Sequence, residues 1–327
     1  MKQRNYYLDY LRGWAILIVV LGHALQICAG NPFNRLHSII QTFQMPLLFV
    51  ISGFSVGYSE PITDVKKFFL GKIKRIAIPY LIWGQINYLL TAALSGTYNV
   101  VSQVKMVWLS QFWFLRILFY LYVVYLIYYG IVCVFQKTKW LGILLGIVAT
   151  AISVVGISLI PGATSIVNYS LFFAFGYILY QGNVSVKIPH ISNYFFILCG
   201  VLTPVFIASA VLFFKTEGML QFLIDKSMAF TGSAALCFAC KMLYNRNRCV
   251  KPRDFMVSVG RSTLPIYAIH WCILLSIPLP IYTILTNAIG IYPTSLIVTV
   301  VWTAICIACI FALRKWKITR LLLLGEK

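Results

Sequence analysis

Charge is what this sequence has least of. Only 10% of its 327 residues are Asp, Glu, Lys or Arg, against about 25% in a soluble domain. A deficit of that size excludes a chain whose surface faces water. Nine cysteines, an odd number scattered mostly through apolar stretches, exclude the paired framework of a small secreted domain. Cys237 with Cys240 and Cys306 with Cys309 form C-x-x-C pairs, but in apolar helical windows without His or acidic neighbours. They read as small packing residues, and no metal site is expected. No segment has the length and polarity of a soluble module, and no half-to-half repeat is visible. Lys2 and Arg4 precede an apolar run from about Trp14, yet that run holds Asp9, Arg12 and His23 and no small-residue cleavage site follows it. The expectation is a retained first span rather than a signal peptide.

What is present is apolar length, with 61% of residues hydrophobic. A spanning helix needs about 20 mostly apolar residues, and such windows recur at 10–28, 38–58, 76–95, 113–135, 140–160, 166–181, 194–214, 220–243, 263–285 and 293–313. The fold class expected is therefore an all-α transmembrane bundle of about ten spans in one domain, 1–327. The short 166–181 window and the Asp225-Lys226 pair inside 220–243 leave nine or eleven spans open. Of the 27 basic residues, five (Arg35, Lys105, Arg116, Lys215 and Lys226) fall on one side and the other 22 on the opposite side. Lys and Arg accumulate in cytoplasmic loops, so both termini are expected in the cytoplasm and the chain in the cell membrane. The net charge of +20 gathers at span ends, at Lys66 to Arg75, Arg246 to Arg253 and Arg314 to Arg320. Anionic lipid head groups lie there, so membrane lipids rather than nucleic acid are the expected partner.

Ionisable residues inside spans are the informative ones, since each costs about 2.5–3.5 kcal/mol or more at mid-bilayer. The first span opens Leu8-Asp9-Tyr10-Leu11-Arg12-Gly13-Trp14 and reaches Leu21-Gly22-His23. At about 100° per residue the eleven steps from Arg12 to His23 leave only about 20° of offset, with about 16 Å along the axis. The two side chains share a face, and Asp9 can pair with Arg12. A boundary ion pair plus a buried structural histidine would explain these residues blandly; an aligned acid, base and imidazole suggest instead a polar track, with His23 suited to take a hydroxyl proton near neutral pH.

Three further segments could serve the same cavity. Phe43-Gln44-Met45-Pro46 runs into Ser52-Gly53, where Ser52 could orient a substrate, although hydroxyls in spans often bond their own backbone. Trp113-Phe114-Leu115 opens a span after the amphipathic-looking stretch Val104 to Phe112, and Trp113 could be only an interfacial anchor. Arg261-Ser262-Thr263-Leu264-Pro265-Ile266-Tyr267 leads to His270, and Tyr267 and His270 lie three residues apart on one face.

Together these residues resemble the integral-membrane acyltransferase-3 family of acyl-coenzyme-A-dependent O-acyltransferases. The arginine, ten intervening residues and histidine are the sharpest part of the resemblance, which covers most of the chain. It implies ten helices with cytoplasmic termini, acetyl-coenzyme A as cytosolic donor and a polysaccharide or glycolipid hydroxyl as acceptor, as in bacterial surface-glycan modifiers. Gln44 stands where many members carry His, and the hydrolase-like C-terminal domain of some members is not expected here. Coenzyme A carries several phosphates, so its site should hold clustered positive charge; Lys72, Lys74 and Arg75 lead that expectation, Lys74 and Arg75 because they resemble a family motif. His23, Arg12 and Asp9 would then be catalytic, with His23 as general base or transient acetyl carrier, and Ser52, Trp113, Tyr267 and His270 would meet the substrate. A transporter or flippase using the same polar track is the alternative, with Pro46, Pro79 and Pro265 as candidate helix breaks. An interaction scaffold leaves the Arg12 and His23 alignment unexplained.

Overall fold

The computed structural model of the protein describes residues 5–30, 34–185, 191–215, 217–246 and 250–326. Lys2, Arg4, Arg248 and Cys249 lie outside the described residues. Among those described every regular element is a helix, as the apolar windows require. In chain order these are α1 Tyr6–Ala29, α2 Arg35–Gly57, α3 Val65–Lys72, a π-helical turn Ile73–Ala77, α4 Ile78–Ser95, α5 Val100–Leu109, α6 Trp113–Val134 and α7 Lys139–Ser158. They continue as α8 Ile166–Ser185, α9 Ile191–Phe213, α10 Gly218–Arg246, α11 Val250–Arg261, α12 Thr263–Ser276, α13 Leu279–Ile289, α14 Ile291–Leu313 and α15 Lys317–Leu324.

Seven helical stretches among the described residues are long and apolar enough to cross a membrane, or eight if α12 and α13 form one broken span. The expected 166–181 and 194–214 windows, in α8 and α9, are not among the seven, and the 263–285 window changes character. It is two helices bent by 92°, because Pro278 and Pro280 supply no N–H to continue α12 and instead start α13. The 76–95 window is the second part of a longer run, Val65–Ser95, interrupted by the π turn. Pro46 lies within α2 without ending it.

The chain forms two compact units. In unit 1, residues 1–58 and 174–308, α1 is the central helix and packs against α2, α10, α11, α12 and α13. It is apolar on nearly all sides, which is the pattern of a helix surrounded by others, and Ala15, Ile16, Val19, Val20 and Ala24 are fully buried. Asn5 caps its start by accepting from the Leu8 amide, and Gly30 ends it in the left-handed conformation at φ 57°.

The closest approach in unit 1 is between α1 and α11. A Cβ placed on Gly260 would lie 1.7 Å from the Asp9 carbonyl oxygen, and one on Gly13 would lie 2.4 Å from the Met256 carbonyl. Only glycine permits this backbone contact, and it sets the depth at which Asp9, Arg12 and Arg261 meet.

Unit 2 comprises residues 59–173 and 309–327. Here the amphipathic stretch expected at Val104 to Phe112 turns out to fold back along α4 as α5. Tyr88 Oη donates to the Asn99 carbonyl at 2.6 Å, Gln85 to Gln103 at 3.4 Å and Tyr80 Oη to Val107 at 2.8 Å, an antiparallel ladder of side chains. α15 is tied to α4 by the Trp83 indole N–H, which donates to the Leu323 carbonyl at 2.8 Å. A paired contact of Arg314 with Glu326, at 2.9 and 2.6 Å, holds the same end.

Candidate active site

Two polar clusters lie along α1 in unit 1. At its first turns Asp9 is 2% exposed. Its Oδ1 accepts from Arg12 Nη1 at 3.0 Å, the pair expected from their spacing, and its Oδ2 lies 3.6 Å from Arg261 Nε. Arg12 also donates through Nη2 to Ser55 Oγ at 2.5 Å, and Ser55 donates to the Ile51 carbonyl. One carboxylate thus faces two guanidinium groups, leaving an excess positive charge at a site where Arg12 is partly exposed. A buried carboxylate between two guanidinium groups is fixed in place by them.

About four turns along α1 lies the histidine cluster. The His23 ring stands 5.4 Å from the His270 ring and 4.9 Å, edge-on, from the Trp271 indole. His270 is buried, and its Nδ1 lies 2.9 Å from the Ile266 carbonyl. A carbonyl only accepts, so Nδ1 carries the proton and the neutral ring offers a lone pair at Nε2. Tyr267 packs on His270 at 5.9 Å. On the α2 side, His37 Nδ1 bonds the Gly22 carbonyl at 2.9 Å in the same way. A Cβ on Gly22 would meet Gln44 Oε1 at 2.9 Å, so glycine beside His23 makes room for this amide.

Several buried polar atoms here have no hydrogen-bond partner among the described residues: His23 Nδ1, His270 Nε2, Trp271 Nε1 and Gln44 Oε1. Buried polar atoms are otherwise almost always satisfied. Their concentration at one level of the unit marks a place built to meet a polar ligand. Between the two clusters, the α1 face carries Ile16 and Val19, both fully buried. The stripe joining Arg12 to His23 is therefore polar at its ends and apolar between.

In unit 2 the π turn Ile73–Ala77 presents Lys74 and Arg75 as exposed side chains. Gly325, which ends α15 at φ 64°, packs on the Arg75 backbone with no room for a Cβ. Lys72 is different: its Nζ sits 3.6 Å from the centre of the Tyr122 ring and 4.8 Å from that of Phe68, a cation held between aromatic faces. Trp113 stacks on Tyr169 at 5.2 Å, so it has a packing partner inside unit 2. Arg116, which sequence placed among the outer boundary charges, is 5% exposed. It donates to the Gly162 carbonyl at 2.6 Å and to Tyr80 Oη at 3.2 Å, partners that draw it into the fold.

The family model described as an acyltransferase domain matches residues 5–313. This match covers both units and nearly the whole described chain. The chain belongs to the acyltransferase-3 family. No curated protein and no solved structure matches it. Membership makes the protein a membrane acyltransferase and sets the two clusters of α1 in that context.

Of the residues singled out in this acyltransferase from sequence, Asp9, Arg12, His23, Ser52, Tyr267 and His270 belong to unit 1, and Lys72, Lys74, Arg75 and Trp113 to unit 2. His23, His270 and Tyr267 are brought together, as are Asp9 and Arg12. Ser52 joins neither pair; its hydroxyl donates to the Leu48 carbonyl at 2.7 Å, the backbone bond that hydroxyls in spans favour. Sequence reasoning missed Arg261 as the second partner of Asp9, Ser55 as the partner of Arg12, and His37 and Trp271 beside His23. The scarcity of acids was the available signal for the first. Trp271, next to His270 in the chain, carried no periodic signal of its own.

Proposed function

We propose that this acyltransferase moves the acetyl group of cytosolic acetyl-coenzyme A to a hydroxyl of a cell-surface polysaccharide or glycolipid. The observation that carries this reading is the histidine pair: His23 and His270 face each other in a buried setting, each with an unpartnered ring nitrogen, beside the unpartnered Trp271 N–H. His23 takes the proton of the acceptor hydroxyl as its oxygen attacks the thioester carbonyl carbon. The carbon–sulfur bond then breaks, and the thiolate leaves with the proton from His23. Trp271 Nε1–H, which can only donate, stabilises the developing oxyanion, and His270 orients the hydroxyl or His23.

Within unit 2, exposed Lys74 and Arg75 are the side chains suited to the phosphates of a coenzyme A donor, with Lys72 held back by its aromatic partners. In unit 1 the two guanidinium groups at Asp9 favour an anionic ligand. Basic-residue asymmetry supports cytoplasmic termini, which puts the Arg12 end of α1 in the cytosol and the histidine end towards the outside.

The transporter reading draws on the 92° break between α12 and α13, since broken helices line many transport sites. One experiment separates the two. Surface polysaccharide is prepared from cells lacking the gene and complemented with wild type or His23→Ala, and its O-acetyl content is read by proton NMR. Acetylation restored by wild type alone, at equal membrane abundance, is expected. Acetylation restored by His23→Ala would remove the chemistry from this residue and bring the transporter forward.

A further inference from the structure

Unit 1 contains a polar cleft that the acyl-transfer chemistry does not use. It has a volume of about 410 Å3 and lies where the start of α2, the end of α9 and the start of α10 come together. Ser38 donates to the Asn34 carbonyl at 3.2 Å and Thr42 to the Ile39 carbonyl at 2.8 Å. Both hydroxyls have spent their proton and offer only lone pairs to the cleft. The amides of Gln41 and Gln221 form no hydrogen bond with other described residues, so each presents two donors and an acceptor. Asp225 adds a carboxylate whose contact with Lys226 Nζ, at 3.6 Å, is loose. Phe213 and Phe214 form an apolar wall, their rings 5.2 Å apart and nearly perpendicular.

Paired donors and acceptors beside an aromatic wall suit a sugar, whose hydroxyls both donate and accept and whose C–H faces are apolar. Asp225 is balanced by Lys226 and by the Arg35 guanidinium, which lies 5.6 Å from the centre of the Phe214 ring, so the lining carries charge of both signs and singles out neither a phosphate nor a cation. The ligand is therefore an uncharged sugar. Its place in the fold fits. Gly22, beside His23, is packed by Ile40 and Gln44 and bonded by His37. Ser38, Gln41 and Thr42 occupy the same two turns of α2, about 120° round the helix. The cleft thus lies on the flank of α2 at the level where α2 packs on Gly22, the chain neighbour of His23.

We infer that this cleft is a subsite for an uncharged sugar of the acceptor chain, flanking the sugar that is acetylated at His23. The inference rests on the acyltransferase reading above and adds the residues that would select the acceptor.

The test uses the full chain in lipid nanodiscs, radiolabelled acetyl-coenzyme A, and de-O-acetylated surface polysaccharide from cells lacking the gene. In Gln41→Ala/Gln221→Ala, and separately in Gln41→Trp, which fills the cleft, KM for polysaccharide is expected to rise about tenfold, the loss of roughly two neutral hydrogen bonds. The kcat and the KM for acetyl-coenzyme A should stay within twofold. An unchanged polysaccharide KM in both variants, with active wild type, overturns the subsite. So does a change only in dependence on anionic phospholipid content, which would make the cleft a lipid site. A binding measurement separates this inference from the reading beneath it. His23→Ala protein, which does not turn over, should still bind the polysaccharide by surface plasmon resonance and lose about tenfold in affinity when the two glutamines are also replaced. Wild type that transfers no label, while His23→Ala shows this same binding pattern, would sink the acyl-transfer reading and leave a glycan-binding cleft; no binding at all would remove both.

Discussion

Asp9 shows how a few atoms decide the behaviour of a residue inside an apolar bundle. Its two oxygens lie 3.0 and 3.6 Å from different guanidinium groups, so its removal leaves two arginines facing one another without compensation. Breaking a fully buried pair costs about 3–5 kcal/mol, and the partial exposure of both arginines puts the cost here below that range. Asp9→Asn should therefore lower the melting temperature of the detergent-solubilised protein by far more than Arg261→Gln, whose side chain is 42% exposed; equal effects would contradict the picture of Asp9 as the shared anchor. Trp271 makes the complementary case at the histidine end. Trp271→Phe keeps the ring packed on His23 but deletes the indole donor. The expected result is a kcat about 100-fold lower with an unchanged melting temperature, and an unaltered kcat would exclude the indole from the chemistry.

Elements act here mainly through where backbones touch. The α1–α11 crossing has no tolerance at Gly260, because the atom a Cβ would strike is the Asp9 carbonyl oxygen rather than a movable side chain. Gly260→Ala should cost about 1–3 kcal/mol or more through overpacking and displace Asp9 from its partners. Gly71→Ala in α3, where a Cβ meets nothing within 4 Å, is the matched control and should leave folded protein in the membrane at wild-type levels. Comparable losses for both would mean that the crossing does not set the fold. The π turn between α3 and α4 is an element-scale feature of a different kind: its extra residue per turn shifts the register of Lys74 and Arg75, and such insertions are frequent at functional sites.

At the scale of the whole molecule, the distribution of basic residues predicts a sidedness that reporter fusions can read. Alkaline phosphatase placed after Lys327 should be inactive and placed after Gly96, between α4 and α5, active; the reverse would invert the bundle and move the donor site to the wrong face. The apolar windows, the helical class and the family resemblance were all legible in the sequence, because membrane insertion depends on summed local hydropathy and needs no knowledge of partners. The Asp9–Arg12 pair was legible too, being an i,i+3 contact on one helix. The sequence offered Tyr267 and His270 for the His23 cavity but left open most of what joins distant helices. Asp9 meets Arg261, Trp271 and His37 join His23, and α5 folds back on α4. Apolar helix faces are chemically alike, so which of them pack together is decided by shape, by the glycines that let backbones approach and by the prolines that end a helix. Hydropathy thus determined that this chain is a membrane bundle, its motifs gave the resemblance to the acyltransferase-3 family, and close packing decided which of its few polar side chains from distant helices share a site.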